Sequence, residues 1–169
     1  MRIKGLMKTE RKLYLMQQTY ATLFSLANKL QGYCDRQLEK LTNRQLMTMI
    51  AIAHLPEGLV TINAIAAKLG TTKQNTRQLV EALERKGYVT IAQSSDDKRS
   101  VDVQFTAEGL RALQSDGIRG TNLFSTIFHE FSSEELETLW CLLQKLYRFD
   151  GNGQDGFESE ASISVRKGE

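Results

Sequence analysis

The order of short motifs between Ile62 and Gly109 constrains the fold of this chain more than any other feature. A short apolar helix is predicted to end at Gly70, and a second helix with a polar first turn begins directly after it. Glycine allows the tight turn between them because it lacks a Cβ. Two segments, Tyr88–Gln93 and Ser100–Thr106, then predict antiparallel strands around a charged tip. This order predicts a winged helix-turn-helix, a shape suited to the DNA major groove.

Long apolar helices are predicted on both sides of this winged module. Residues 9–39 carry a heptad-like apolar stripe, and residues 110–131 carry a second stripe. Gly117 and Gly120 interrupt the second stripe, so we expect a kink or break there. Side chains that can cap helix starts precede four of the predicted helices, and two of them form capping boxes with a residue three positions later: Thr42 with Gln45, Thr61, Thr106, and Ser132 with Glu135.

The fold class predicted is mainly α with a small antiparallel β wing. In chain order we expect an N-terminal dimerisation helix at residues 1–40 and a DNA-binding lobe at residues 41–109. C-terminal dimerisation helices are expected at residues 110–149, followed at residues 150–169 by a poorly ordered tail rich in Gly, Ser and Glu. The stripe from Leu13 to Cys34 and a further apolar run, Leu136–Tyr147, exceed what one small lobe can cover, which predicts an interface with a second copy.

Composition narrows the classes of protein to which the chain can belong. The 169 residues are 41% hydrophobic and 25% charged, as in an ordinary globular protein. No apolar run is long enough to span a membrane, and no apolar segment follows the basic start as in a signal peptide. With one Pro and two Cys the chain does not resemble a secreted disulfide scaffold, so the cytoplasm is the expected compartment. A net charge of +2 is by itself weak evidence for DNA, but basic residues gather between Lys68 and Lys86.

The helix after Gly70 supplies the predicted contacts with DNA bases and phosphates. Its buried face is predicted at Thr76, Leu79, Val80 and Leu83, which leaves a polar face near its start. Asn and Gln can bond adenine, Arg can bond guanine, and Lys and the helix N-terminus can bind phosphate. A merely solvated helix face is the alternative. The predicted contact residues are Thr72, Lys73, Gln74, Asn75, Arg77 and Gln78.

The tip between the two strands reads Asp96-Asp97-Lys98-Arg99. Acidic residues are unexpected at a DNA-binding tip. We expect one of the two acids to orient the guanidinium of Arg99 by an ion pair, while Lys98 and Arg99 face the DNA. Arg99 could then enter the minor groove, where narrow A·T-rich segments concentrate negative potential. The alternative is a charged, solvated hairpin turn.

The residues from Leu41 to Gly109 resemble the MarR family of bacterial transcription regulators. The motifs that carry the resemblance are Leu41-Thr42-x-x-Gln45, Ile65-Ala66-x-x-Leu69, Leu79-Val80-x-x-Leu83-Glu84-x-Lys86-Gly87, Asp97-x-Arg99 and Thr106-x-x-Gly109. The resemblance implies a homodimer with intertwined terminal helices that binds a pseudo-palindromic operator. It also implies that Thr72–Gln78 read the major groove and Arg99 the minor groove, with Asp97 bracing the wing. The chain departs from the family in lacking basic residues at Ile91, Ala92 and Gln93, so its wing is expected to hold phosphate more weakly.

The resemblance also suggests a signal, because such regulators often respond to small aromatic acids or to oxidants. A ligand would sit between the dimerisation helices and the lobe. The candidate lining residues, which on an amphipathic helix belong to the core by default, are Tyr14, Tyr20, Phe24 and Tyr33. A thiol-based sensor would use Cys34, although a buried, inert thiol is the more natural state there, and more so for Cys141.

Other classes of protein receive less support. The spacing of His54, His129 and the two cysteines does not form a zinc site, and no cofactor is expected. No nucleophile–base set or phosphate loop indicates an enzyme. A winged-helix module that binds proteins is the remaining alternative to a repressor, and DNA binding that ignores salt would favour it.

Overall fold

The computed structural model describes residues 2–56, 58–93, 101–151 and 157 of the chain. It confirms the predicted fold class, because the described part is mainly helical with one antiparallel pair of strands. The elements in chain order are α1 Arg2–Gln37, α2 Asn43–Ala53, α3 Ile62–Leu69, α4 Lys73–Arg85, β1 Val89–Gln93, β2 Val101–Phe105, α5 Ala107–Ile127 and α6 Ser133–Tyr147. A single 3-10 turn, Arg148–Asp150, follows α6.

The chain divides into two compact units, residues 1–37 and residues 38–169. The first unit is α1, which begins at Arg2 rather than near Thr9 as predicted. Its large apolar side chains between Leu13 and Leu26 are mostly exposed, and Tyr20 is 67% exposed. Much of the apolar stripe of α1 is therefore exposed in the described part of the chain.

The helices of the second unit begin at the capping residues that were predicted. The Thr42 hydroxyl accepts a hydrogen bond from the Gln45 N–H at 3.2 Å, and the Gln45 side chain accepts one from the Thr42 N–H at 3.1 Å. Ser132 and Glu135 form the same reciprocal box at the start of α6. Thr61 and Thr106 cap α3 and α5. These bonds satisfy N–H groups that a helix start leaves without a partner.

The hydrophobic core lies in the second unit. It is built from α2, α3, α4, the two strands and the first half of α5, with Met49, Ile65 and Leu83 fully buried. The strands pair with Ile91 opposite Val103, and Val103 turns inward as the period-2 pattern predicted. Just before α3, Thr61 forms an isolated antiparallel bridge with Asp102 of β2. The core thus holds the base of the wing against α3.

The predicted break in the fifth helix is wrong. α5 runs without interruption through Gly117 and Gly120 to Ile127. Each glycine costs a helix about 1 kcal/mol relative to alanine, but it keeps its N–H and so breaks no hydrogen bond, unlike proline. Buried residues on both sides of the glycines, Leu113 and Leu123 among them, hold the helix in place. α5 stops before Phe128 and Phe131, whose rings contact each other in the following turn at 5.9 Å.

Within the described residues, no helix combines the length and hydropathy needed to cross a membrane. The tail predicted from residue 150 lies mostly outside the described part. The described part includes Asp150, Gly151 and Phe157 of this tail, and the half-buried ring of Phe157 packs against the core.

Candidate nucleic-acid interface

The turn between α3 and α4 is closed by Gly70, which adopts φ +61°. In this left-handed conformation the Gly70 N–H bonds the Ala67 carbonyl at 3.1 Å, and the Thr71 N–H bonds the Ala66 carbonyl at 3.0 Å. This is the paired bonding of a Schellman motif, which ends a helix and reverses the chain within two residues. Glycine is required here because a Cβ disfavours a positive φ. The turn therefore sets the start of α4 directly against the end of α3.

The first two turns of α4 present an exposed polar face. Thr72 caps the helix by accepting a hydrogen bond from the Asn75 N–H at 3.2 Å. Thr76, Val80 and Leu83 are buried, and Leu79 is half-buried. The side chains of Lys73, Gln74, Arg77 and Gln78 are exposed, as is Thr72. The structure thus brings five of the six predicted contact residues of this helix together on one accessible surface, at a helix N-terminus that favours anions.

Asn75 differs from the other five predicted contact residues. It was predicted to share the exposed face, but it is half-buried at the edge of that face. Its Nδ2 donates a hydrogen bond to the Thr71 hydroxyl at 3.0 Å. The amide group keeps one N–H and its carbonyl oxygen for other partners. Asn75 therefore ties the helix start to the turn, and a contact with a base would have to use the remaining edge of the amide.

Arg77 is held in a defined direction by its neighbour one turn later. Its Nε donates to Glu81 Oε1 at 3.0 Å, and both side chains are substantially exposed. An exposed pair of this spacing contributes only about 0.3–0.5 kcal/mol to stability. The two terminal nitrogens of the guanidinium carry four further N–H donors in the same plane. Arg77 is therefore oriented along the helix face with donors left for an acceptor such as guanine or phosphate.

Two lysines counted in the basic stretch serve the fold instead. Lys68 is 8% exposed. Lys86 Nζ donates to the Lys40 carbonyl at 2.7 Å and to Gln45 Oε1 at 2.9 Å, which joins the end of α4 to the start of α2. The exposed basic side chains of this stretch are Lys73, Arg77, Arg85 and Lys86, and the ammonium group of Lys86 is already bonded to the fold. The basic surface is consequently narrower than the sequence indicated.

Glu84 connects α4 to the wing. Its Oε1 accepts a hydrogen bond from the Ile91 N–H of β1 at 3.0 Å. Thr106 completes the junction from the other strand, because its hydroxyl donates to the Gly87 carbonyl at 2.6 Å. Sequence reasoning assigned no role to Glu84, and its only signal was the motif Leu83-Glu84-x-Lys86-Gly87. These bonds fix the base of the wing relative to the exposed face of α4.

The tip of the wing lies outside the described residues, and so do the predicted contacts Lys98 and Arg99 and the predicted brace Asp97. Their roles stay predictions. The strand residues that lead to the tip, Ala92 and Gln93, are exposed.

The two cysteines lie in different environments. Cys34 is buried, and this burial, together with the neighbouring negative charge of Asp35, raises the pKa of its thiol above the ordinary value. Cys141 was expected to be buried with still more weight, but it is exposed on α6, where part of each neighbouring side chain also reaches the surface. A reactive sensor thiol needs a lowered pKa and access to solvent, and Cys34 has neither. In the part of the chain that the structure describes, no three His, Cys, Asp or Glu side chains are grouped to hold a metal ion.

The aromatic residues proposed as a ligand lining lie on α1. Tyr14, Tyr20 and Phe24 are exposed, and Tyr33 is half-buried. The rings of Tyr20 and Phe24 contact each other with centroids 4.9 Å apart. Aromatic residues on an amphipathic helix belong to the core by default. Tyr14, Tyr20 and Phe24 are not core residues of the single chain, because they are exposed.

Residues 40–100 match the sequence model described as MarR family. The transcriptional repressor MprA of Escherichia coli is 24% identical over 116 residues, which are 68% of this chain and 66% of MprA. The HTH-type transcriptional regulator YfiV of Bacillus subtilis is 41% identical over 91 residues, 54% of this chain and 57% of YfiV. The matched segments span less than two thirds of the length of these relatives.

A solved structure covers more of the chain. The DNA complex of Staphylococcus aureus MepR is 26% identical, with a TM-score of 0.67, and the match covers 76% of this chain and 96% of MepR. The similarity thus extends beyond the DNA-binding lobe to most of the fold.

Proposed function

We propose that this chain, which belongs to the MarR family, is a sequence-specific DNA-binding regulator of transcription that binds a pseudo-palindromic operator as a homodimer. The family predicted from Leu41–Gly109 is confirmed. The local geometry of α4 supports the proposed DNA binding best.

The single observation that carries the proposal is the exposed start of α4. A glycine-closed turn and the Thr72 cap present Lys73, Gln74, Arg77 and Gln78 together on one face. Side chains of these types bind base edges and phosphates, and a helix of this diameter fits the major groove. We propose that Arg77 and Gln78 read bases, that Lys73 and the helix N-terminus hold phosphate, and that Lys98 and Arg99 at the tip, braced by Asp97, contact the flanking minor groove.

Homodimer formation is supported by apolar side chains that the single chain leaves exposed. Tyr20 and Phe24 on α1 are more than 60% exposed, and Leu142 on α6 is 60% exposed. Exposed apolar surface of this extent is characteristic of an interface, and a two-fold interface uses the same patch on both subunits. A dimer would fix the distance between its two α4 helices. A pseudo-palindrome requires this, because its two half-sites lie about one helical turn apart.

We further propose repression, relieved by a small aromatic ligand, in the cytoplasm where the operator is found. We propose repression because the relative MprA is a transcriptional repressor. The aromatic side chains Tyr14, Tyr20, Phe24 and Tyr33 offer rings against which such a ligand could stack. A ligand that binds one spacing of the two α4 helices more tightly than another would shift the dimer toward the spacing it prefers. The resulting change in operator affinity is limited by the difference between the ligand's affinities for the two spacings.

The alternatives receive less support from the structure. A redox sensor based on Cys34 requires a thiolate, and burial with a raised pKa opposes one. A winged helix that binds proteins remains an alternative because its partner surface would also be polar and exposed. The two readings differ in salt dependence, since only DNA binding releases condensed counterions.

Selection from a random duplex library with the full-length chain tests the proposal. We expect an enriched pseudo-palindrome. If Lys73 of each of the two subunits neutralises one phosphate, affinity for it should fall by roughly tenfold or more between about 50 and 200 mM salt. The matched control is the double variant Lys73→Glu, Arg77→Glu, which changes only exposed side chains and should abolish selection. A library that yields no enriched sequence, or binding that ignores salt, would contradict the proposal.

A further inference from the structure

Lys68 is a buried cation close to the turn before α4. It lies two residues before Gly70 and is 8% exposed. Removing an ammonium group from water is costly unless other groups compensate for the lost hydration. In this chain the Lys68 Nζ lies 5.5 Å from the centre of the Phe157 ring, within the range of a cation–π interaction. The ring face of Phe157 thus supplies part of the compensation.

Phe157 also contacts the end of α2. Its ring meets the His54 ring edge-on, with centroids 5.3 Å apart and planes at 88°. His54 is the residue at which α2 ends. The half-buried Phe157 ring packs against the core cluster as well. One aromatic side chain from the C-terminal part of the chain therefore bridges the end of α2 and the end of α3.

The main chain of Lys68 receives a second contact from the same C-terminal part. The Tyr147 hydroxyl, at the end of α6, donates a long hydrogen bond to the Lys68 carbonyl oxygen at 3.4 Å. This carbonyl belongs to the last turn of α3, where carbonyl groups lack helical partners. Tyr147 and Phe157 thus converge on Lys68, Tyr147 at its carbonyl oxygen and Phe157 at its ammonium group.

We propose that Tyr147 and Phe157 are positioning residues that hold the end of α3 through Lys68 and thereby fix the turn at Gly70 and the start of α4. Lys68 is separated from Thr72 only by the turn, so a shift of Lys68 moves the cap of α4. The Tyr147 contact also links α6, with its exposed apolar side chains, to α3, the helix directly before the one that carries the exposed polar face. The effect on DNA affinity rests on the proposed function, but the effect on the local stability of α3 and α4 does not.

Hydrogen exchange of the full-length chain tests this proposal without DNA. Phe157→Ala should speed exchange of the amides from Ile62 to Gln78 by about three- to tenfold, the range expected for a partly desolvated cation–π contact. Phe149→Ala is the matched control, because Phe149 has the same side chain, lies near α6 and is 83% exposed. It should leave these amides unchanged. Equal exchange in the two variants would overturn the proposal.

Two milder variants guard against general unfolding in Phe157→Ala. Phe157→Leu keeps an apolar side chain but removes the ring face, and Tyr147→Phe removes only the hydroxyl. Each should speed exchange in α3 and α4 while leaving β1 and β2 amides unchanged, and wild-type exchange in both variants would overturn the proposal.

In the same variants, affinity for a selected duplex should fall severalfold. If wild-type protein selects no duplex, the proposed function fails, while the exchange result still decides the role of Tyr147 and Phe157.

Discussion

Gly109 lies directly against the carbonyl group of Tyr88. A Cβ at Gly109 would stand 2.7 Å from the Tyr88 carbonyl carbon and closer still to its oxygen. The same carbonyl oxygen accepts a hydrogen bond from the Thr106 N–H at 3.1 Å. The first turn of α5 can therefore sit on the connection between α4 and β1 only because residue 109 has no side chain. The motif Thr106-x-x-Gly109 acquires a physical reason from this contact.

Gly109→Ala should destabilise the chain by about 1–3 kcal/mol, because backbone atoms must shift to admit the methyl group. Gly117→Ala in the same helix is the matched control, since a Cβ there would meet no atom within 4 Å. That control should instead stabilise the chain by about 1 kcal/mol through helix propensity. Urea unfolding of the three proteins measures both changes. A Gly109→Ala variant as stable as Gly117→Ala would contradict the close contact.

Arg77→Ala should relax base preference at one position of each half-site, at a cost of about 1–3 kcal/mol if a bidentate contact is lost. Lys73→Ala should weaken binding to all duplexes more evenly and reduce the salt dependence. Arg111→Ala, which changes an exposed arginine on α5, is the control for loss of one positive charge. Fluorescence anisotropy with selected and scrambled duplexes separates the effects. Equal affinities for all four proteins would mean that the recognition face lies elsewhere.

Arg99→Ala should weaken operator binding without changing stability, and Asp97→Ala should give a milder loss, because it would only orient Arg99. Footprinting compares protection at the centre and at the flanks of the operator. Protection should be lost at the flanking minor groove and kept in the major groove. Unchanged protection at the flanks in Arg99→Ala would refute the role predicted for this residue.

Tyr20→Asp should convert the dimer to monomers, because it places a charge where an exposed aromatic ring is expected to be covered by a second subunit. Gln18→Asp is the control. It introduces the same residue into α1 at an exposed position about 200° around the helix from Tyr20. Analytical ultracentrifugation of both variants measures the outcome. A dimeric Tyr20→Asp variant would show that this face of α1 is not the interface.

Cys34 should react slowly with thiol reagents in the native protein, on the order of tenfold or more below its rate in denaturant, because burial limits access and raises its pKa. A Cys141→Ser background isolates the signal. Since the pKa is raised in the folded state, the associated stability is present below the ordinary thiol pKa and is lost as pH rises through the raised value. Rapid native-state labelling at neutral pH would revive the redox alternative.

Much of the fold could be predicted from the sequence because the decisive bonds are local. The caps at Thr42, Thr61 and Ser132 each join a side chain to a backbone N–H three residues later, so a short window of sequence contains both partners. The turn at Gly70 follows from the conformational freedom of one residue. The exposed face of α4 followed from helical periodicity, which depends only on spacing along the chain.

Other properties were decided by residues that are distant in sequence. Lys86 is used for the fold because it meets Lys40 and Gln45, forty or more positions earlier. Lys68 is buried where the C-terminal residues Tyr147 and Phe157 converge on it. α5 crosses Gly117 and Gly120 unbroken because buried residues on both sides hold it, and this packing outweighs the helix propensity of two glycines.

The sequence by itself therefore determined which segments are helices and strands, where the helices with predicted caps begin, and which face of α4 is polar. Only the tertiary structure decided which basic residues remain on the surface, why Gly109 must lack a side chain, and which contacts hold the end of α3. The physical reason is that capping and periodicity act over a few residues. Burial depends instead on which distant segments pack together, and no short window of sequence contains that information.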